Sequence, residues 1–214
     1  MVIQVFSGYL TGLIKKVINY LAHLYLSGSH SKIAIGNFLG DFVKGNQYQD
    51  YEPDIAKGVL LHREIDRFTD SHEVVSESKK RLSEKYRHYS GVIVDMFYDH
   101  FLAKNFNEFH SDDLKTFSEN HFKQLLAFQN QMPSRAQHML PYMVSNNWLL
   151  AYAEIKGIHR ALLGLSRRTK FDSKMDESIQ DLTRNYSMFE EEFRLFFPDI
   201  QLHISEFRED LINS

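Results

Sequence analysis

Residues 53–68 read PDIAKGVLLHREIDRF, and this run decides the fold class. Pro53 follows Asp50, Tyr51 and Glu52. That is where a first helical turn accepts a proline, because the missing N–H would have no partner there anyway. Ile55, Val59, His62 and Asp66 then recur along one stripe at helical spacing. The spacing predicts a helix from Pro53 through Phe68, with His62 and Asp66 on the same side one turn apart. An imidazole and a carboxylate on an otherwise apolar stripe need compensation, since an unpaired charge in apolar surroundings is costly.

The helical period continues in both directions. Asp70 and Glu73 bracket Ser71-His72 as a capping box for a following helix. That helix carries Lys79, Lys80, Arg81, Lys85 and Arg87 with Glu77 and Glu84 between them, so it reads as largely solvated. Gly91 to Phe106 is another helix; Val92-Ile93-Val94 lacks the alternation and turn chemistry of a strand. Ser111, followed by Asp112 and Asp113, starts an amphipathic helix that ends near Met132-Pro133. Further helices begin at Ser134, run from Asn147 through Lys156, and run from Gly157 to about Arg168. Asp172 to Ile212 reads as one long helix or two, broken at Pro198. With no repeat, linker or low-complexity segment, the expected fold is a single-domain, all-α helical bundle.

Composition supports one sizeable core, because 43% of the 214 residues are hydrophobic and 14% aromatic. The aromatic residues Phe97, Phe101, Phe122, Phe128, Trp148, Phe189, Phe193, Phe196 and Phe197 recur at helical spacing and read as core. A formal net charge of -3 argues against wholesale nucleic-acid binding. The absence of cysteine excludes disulfides and thiolate metal sites, so any metal must be held by nitrogen and oxygen. No run of eighteen apolar residues occurs, and no membrane span is expected. In residues 1–18, MVIQVFSGYLTGLIKKVI, the lysines follow the apolar stretch, the reverse of a signal peptide. A cytoplasmic protein is expected.

Ligand-type residues cluster in the first half. Besides His62 and Asp66 there are His23 in NYLAHLYL, Asp41 in GNFLGDFVKG, and Asp95, Asp99 and His100 in DMFYDH. Each alone has an ordinary reading: a satisfied core histidine, a capping aspartate, a helical hydrogen-bonded pair, or solvated neighbours. Together, on several apolar helices, they have the character of a helix-bundle metal site. Imidazole with carboxylates suits Mn²⁺, Fe²⁺, Mg²⁺ or Zn²⁺. Such an ion polarises a phosphoryl oxygen and acidifies a bound water, which points to metal-assisted hydrolysis. Arg63 is either a phosphate clamp or half of a surface ion pair. Glu64 points away from the His62 stripe and reads as solvent-facing. Two basic clusters could steer an acidic partner, Lys79 to Arg87 and Arg167-Arg168 with Lys170.

Taken in order, NYLAHLYLSG, GNFLGDFVKGN, GVLLHREIDRFTD, VDMFYDHFLAKNF, NNWLLAY and LSRRTKFD resemble the bacterial acyl carrier protein phosphodiesterase family. The resemblance runs from about Asn19 to near Pro198. It implies a helical fold distantly related to the HD-type metal-dependent phosphohydrolases. It also implies hydrolysis of the phosphodiester that joins phosphopantetheine to a serine of holo acyl carrier protein, with Mn²⁺ as the expected metal and Mg²⁺ or Fe²⁺ as alternatives. Carried over by motif, Asp41 belongs to G/A-D-F-V-[KR]-G, His62 and Asp66 to H-R-x-I-D, and Asp95, Asp99 and His100 to D-x-x-x-D-H. His23 matches the histidine near the family's start. The metal candidates are therefore His23, Asp41, His62, Asp66 and Asp99, and the catalytic candidates Asp41, Arg63, Asp95 and His100. The motifs do not separate direct ligands from residues that orient them.

No His-Asp doublet occurs, and Asp99-His100 runs in the opposite order, so ligand roles are not carried over from the wider HD superfamily. Arg167 and Arg168 fall in a shared segment and are the candidates for docking the carrier protein. The competing readings are an HD-like phosphohydrolase acting on a nucleotide or other small phosphoester, and a non-catalytic helical binding protein. Ile18 stands where the family's chains typically begin with methionine, so residues 1–18 are expected to be an extension or a misassigned start.

Overall fold

From Tyr20 onward the apolar spacing is converted into helix almost without interruption. The computed structural model describes residues 19–213, and the expected N-terminal extension lies outside the described residues. The first half holds α1 (Tyr20–Leu26), α2 (Ser31–Leu39), α3 (Pro53–Ser71), α4 (Glu73–Tyr86) and α5 (Ser90–Lys104). A short α6 (Phe106–Phe109) leads to α7 (Leu114–Phe128) and α8 (Ser134–Ser145). The chain continues through α9 (Trp148–Ala151), α10 (Ile155–Ser166), α11 (Ser178–Arg184) and a long α12 (Tyr186–Asn213). No strand occurs among the described residues, so the all-α expectation holds.

Pro53 opens α3 at its first turn, as the sequence predicts. Val92, Ile93 and Val94 are buried within helix α5. Phe97 on that helix meets Phe189 edge to face, with ring centroids 5.1 Å apart, and Phe193 stacks on Phe197 at 4.9 Å. Each such ring, fully removed from water, contributes roughly 1.5–3 kcal/mol. α12 crosses α3, α4 and α5 and supplies Phe189, Phe193, Phe196, Phe197, Ile200 and Ile204 to the core. Of the aromatic residues expected in the core, Phe128 and Trp148 are only partly buried.

Several local expectations yield to tertiary packing. The capping box does not form: Asp70 remains inside α3 and accepts from Lys79 Nζ, and His72 precedes α4 without a side-chain cap. α7 is capped by Asp113, whose carboxylate accepts from the Thr116 N–H, and not by Ser111. The stretch from Asn147 to Lys156 splits, because α9 is a single turn and α10 begins at Ile155. Pro198 does not break the last helix, which runs through it while Phe196, Phe197 and Ile200 pack on the core. The break falls at Asn185, whose backbone N–H and side-chain amide both bond the Asp181 carbonyl.

The packing of α2 on α3 positions the site. A Cβ on Gly36 would lie 2.0 Å from the Ile55 carbonyl oxygen, and one on Gly58 would lie 2.2 Å from that of Ile33. The two helices therefore touch backbone to backbone, which only glycine permits. The close approach brings the last turn of α2, with Asn37 in it and Asp41 just beyond it, against His62 of α3.

Candidate active site

Three segments meet around His23 and His62. α1 carries His23, α3 carries His62 and Asp66, and the turn after α2 carries Asp41. Both imidazoles are buried, and their rings stack with centroids 4.2 Å apart. Asn37 on α2 is completely buried and addresses both rings. His23 Nδ1 lies 2.7 Å from the Asn37 side-chain Oδ1, and His62 Nδ1 lies 3.0 Å from the Asn37 backbone carbonyl. The Asn37 amide nitrogen donates to the His23 carbonyl at 2.8 Å and to Ser27 Oγ at 2.9 Å, which defines its orientation.

Both partners of the Nδ1 atoms are carbonyl oxygens, which only accept. Each imidazole therefore carries a proton on Nδ1, and in its neutral form turns an Nε2 lone pair toward the carboxylates. His23 Nε2 is buried without a hydrogen-bond partner and lies 3.5 Å from Asp66 Oδ1. His62 Nε2 lies 3.4 Å from Asp66 Oδ2 and 3.7 Å from Asp41 Oδ1. That arrangement calls for positive charge between the groups, a second proton on Nε2 in the metal-free protein or a cation in its place. Bond lengths of about 2.1 Å to a cation would space its ligand atoms roughly 3.0–3.4 Å apart, close to what is seen. Two neutral imidazoles and two carboxylates also balance one divalent ion. The residues fit such an ion, and Asn37 orients both rings as the outer partner of a metal-ligating histidine does.

Electrostatics in the metal-free protein show the same strain. Burial opposes charge on His23, yet Asp66 and Asp41 outweigh it and raise its pKa. Burial would raise the Asp66 carboxyl, but hydrogen bonds and charge from His62 and His23 hold it well below the usual carboxylate range. Asp95 on α5 is pushed up to about 7, chiefly by burial, with Asp66 adding to the shift and Lys79 opposing it.

The remaining sequence candidates lie in other arrangements. Among the described residues, only His23, His62 and Asp66 form a group of three ligand atoms within 4.8 Å of one another, with Asp41 beside His62. Asp99 accepts the backbone N–H groups of Leu21 at 3.1 Å and Ala22 at 2.9 Å. It thereby caps the start of α1, whose own Asn19 makes no side-chain cap. Its geometry is that of a residue positioning His23, not that of a ligand. Burial pushes its carboxyl up to about 7 despite those two bonds. His100 has both ring nitrogens engaged, Nδ1 with the Tyr152 carbonyl and Nε2 with the Tyr186 hydroxyl, each at 2.8 Å. That is a satisfied core histidine, and burial lowers its pKa. Arg63 donates to the Gly45 carbonyl and lies over the Tyr48 ring, tying the loop after Asp41 to α3. Glu64 is not solvent-facing: it is buried, and it pairs with Arg67 and with His203 of α12.

Comparison with known proteins identifies the family. A family model described as acyl carrier protein phosphodiesterase matches residues 18–200. The chain belongs to that family. Relatives named acyl carrier protein phosphodiesterase include one from Yersinia enterocolitica, 33% identical over 84% of this chain and 94% of its own length. One from Serratia proteamaculans is 33% identical over 85% and 95%, and one from an Enterobacter species is 34% identical over 84% and 94%. No solved structure matches the chain.

Within this phosphodiesterase family member, the structure adds residues that sequence reasoning passed over. Asn37 lay within the quoted GNFLGDFVKGN segment, but nothing in its own spacing distinguishes it from a surface amide. Tyr20, one turn before His23, places its hydroxyl 3.3 Å from Met139 Sδ. Burial raises the pKa of that hydroxyl well above its ordinary value; Asp41 adds to the shift, while Arg135 and Arg168 oppose it. Arg135, at the start of α8, also lies over the ring of Phe42, the neighbour of Asp41. Arg167 and Arg168 are both exposed past the end of α10, and Arg168 additionally lines a cavity beside Tyr20.

Proposed function

We propose that this member of the acyl carrier protein phosphodiesterase family acts at a divalent cation held by His23, His62, Asp66 and Asp41. The reaction is hydrolysis of the diester between 4′-phosphopantetheine and a serine of holo acyl carrier protein, releasing apo carrier protein and phosphopantetheine. The single observation that supports the metal is the pair of imidazole Nε2 atoms that Asn37 holds against the Asp66 carboxylate, with Asp41 beside His62. Mn²⁺ is the expected ion, with Mg²⁺ or Fe²⁺ as alternatives, because the donor set is imidazole and carboxylate without sulfur. When bound, such an ion polarises a phosphoryl oxygen and lowers the pKa of water.

The protein's own groups prepare the rest. Asn37 keeps both rings in one tautomer, and Asp99 anchors the helix that presents His23. A water oxygen attacks phosphorus, the bond from phosphorus to the serine oxygen breaks, and that oxygen takes up a proton. The Asp95 carboxyl, with a pKa near 7 in the metal-free protein, is the group we assign to proton exchange beside the site. Arg135 and Arg168 favour an anionic substrate on the Tyr20 side. Arg167 and Arg168 on the exposed end of α10 suit an acidic carrier protein. A cytoplasmic location goes with this substrate, and no helix among the described residues is long and apolar enough to cross a membrane.

The test is the mass of purified holo carrier protein after incubation with the enzyme and Mn²⁺, Mg²⁺ or chelator. Loss of the phosphopantetheinyl mass that stops with chelator, or with Asp66→Ala, is expected. Retention of that mass under every metal would refute the reading, and cleavage that chelator leaves untouched would refute its metal.

A further inference from the structure

A cavity of about 200 Å³ opens between α1, α5, α9 and α10, and none of the cation-cluster residues lines it. Its wall includes Tyr20, one turn from His23, and Met96, the neighbour of Asp95. Tyr20 and His23 stand one turn apart on α1, so this wall is the side nearest the cluster, and Asp41 and Arg168 both act electrostatically on the Tyr20 hydroxyl. The rest of the lining includes Ala161 and Leu165, which are apolar, and Asn146, Trp148 and Tyr152, which carry neutral polar groups. No carboxylate lines it, and its two charged residues are the cations Arg160 and Arg168.

We infer that this cavity receives the pantetheine arm of the substrate, its phosphate end at Tyr20 beside the cluster. The inference rests on the phosphodiesterase reading and adds to it the subsite for the leaving prosthetic group. A pantetheine arm is uncharged, with two amides, a hydroxyl and a gem-dimethyl carbon. An apolar wall set with a few neutral hydrogen-bonding side chains matches that pattern. Arg168, acting on the same hydroxyl as Asp41, stands where the arm's negative phosphate end would lie. The volume suits part of the arm, well below the roughly 300–1,000 Å³ of a pocket for a whole drug-sized ligand.

Gly164 makes the inference testable. It lines the cavity on α10, and a Cβ there would meet nothing within 4 Å. A larger side chain therefore starts from open space at the cavity wall. Trp148, the single tryptophan of the chain, lies in the same wall and reports occupancy directly.

The experiment titrates the full-length protein, with and without Mn²⁺, with pantetheine lacking the phosphate, following Trp148 fluorescence. A saturable change is expected in the wild type and in Gly164→Ala. In Gly164→Phe the affinity should fall by at least about tenfold, the scale associated with a misfit of one or more methylene groups. The KM for holo carrier protein should rise with it. No Trp148 response to pantetheine in the wild type would overturn the inference. So would equal affinity in Gly164→Phe, or a response to adenosine in place of pantetheine. The two readings fail separately. Pantetheine binding beside uncut holo carrier protein removes the phosphodiesterase reading alone, and carrier cleavage without pantetheine binding removes the subsite alone.

Discussion

Replacing Asn37 with leucine, similar in volume but unable to hydrogen-bond, tests the logic of the site most directly. The Asn37 side chain makes three buried contacts, with His23 Nδ1, the His23 carbonyl and Ser27 Oγ. At about 1 kcal/mol each, their loss destabilises the metal-free protein by about 3 kcal/mol. For a chain of this size that corresponds to a melting temperature lower by about 6–12 °C. The second effect is on metal. With Oδ1 gone, nothing holds the His23 proton on Nδ1, and its Nε2 lone pair is no longer directed at the Asp66 side. Removing such an outer partner typically costs about 10–100-fold in metal affinity, or about 1.4–2.8 kcal/mol.

The assay is Mn²⁺ titration by calorimetry together with melting curves with and without metal. Asn37→Asp provides the contrast. It keeps an acceptor for His23 N–H but loses both amide donations, so it should melt early yet retain more Mn²⁺ affinity than Asn37→Leu. If Asn37→Leu binds Mn²⁺ as tightly as the wild type despite a lower melting temperature, Asn37 is structural only and the tautomer argument fails.

Further outcomes follow from the same geometry. Gly36→Ala places a methyl group 2.0 Å from the Ile55 carbonyl oxygen and should destabilise by about 1–3 kcal/mol or more, whereas an unchanged chemical-denaturation midpoint would contradict the backbone contact of α2 and α3. In the metal-free protein, Asp95 and Asp99 have pKa values raised from 3.8 to about 7, so the folded state binds more protons than the unfolded one between those values. Stability therefore falls as pH rises from about 4 to 7, and the raised His23 extends the fall above 6.5; denaturation midpoints that increase over this range would refute it. Mn²⁺ must displace the His23 proton, so its affinity should rise with pH through and above 6.5, and a flat series of titrations at pH 6, 7 and 8 would argue against His23 as a ligand. Reversing Arg167 and Arg168 to glutamate should weaken carrier-protein turnover, most at low salt, and spare a small diester; equal loss on both substrates would rule out docking.

Most of the helices were legible because their causes are local. The spacing of Ile55, Val59, His62 and Asp66 is visible in one turn after another, and Pro53 marks its helix start by what its own ring forbids. The local rules failed where a distant segment intervened. Pro198 is a helix breaker by its own chemistry, but α12 runs through it while its flanking aromatic residues are buried on α3, α4 and α5. Glu64 reads as exposed from its angle on α3, and its burial comes from His203, which is 139 residues away.

The sequence by itself determined the all-α class, the residue types available to hold a cation, and the restriction to nitrogen and oxygen ligands. These follow from side-chain chemistry and helical period alone. Only the tertiary structure decided which candidates face one another. It joined His23, His62, Asp66 and Asp41, made Asp99 the cap of α1, and closed both nitrogens of His100 on Tyr152 and Tyr186. The reason is directional: a lone pair becomes a ligand, and a carboxylate a cap, through what lies opposite it. That is settled where helices cross, and Gly36 and Gly58 let α2 and α3 cross closely enough for Asn37 to reach both imidazoles.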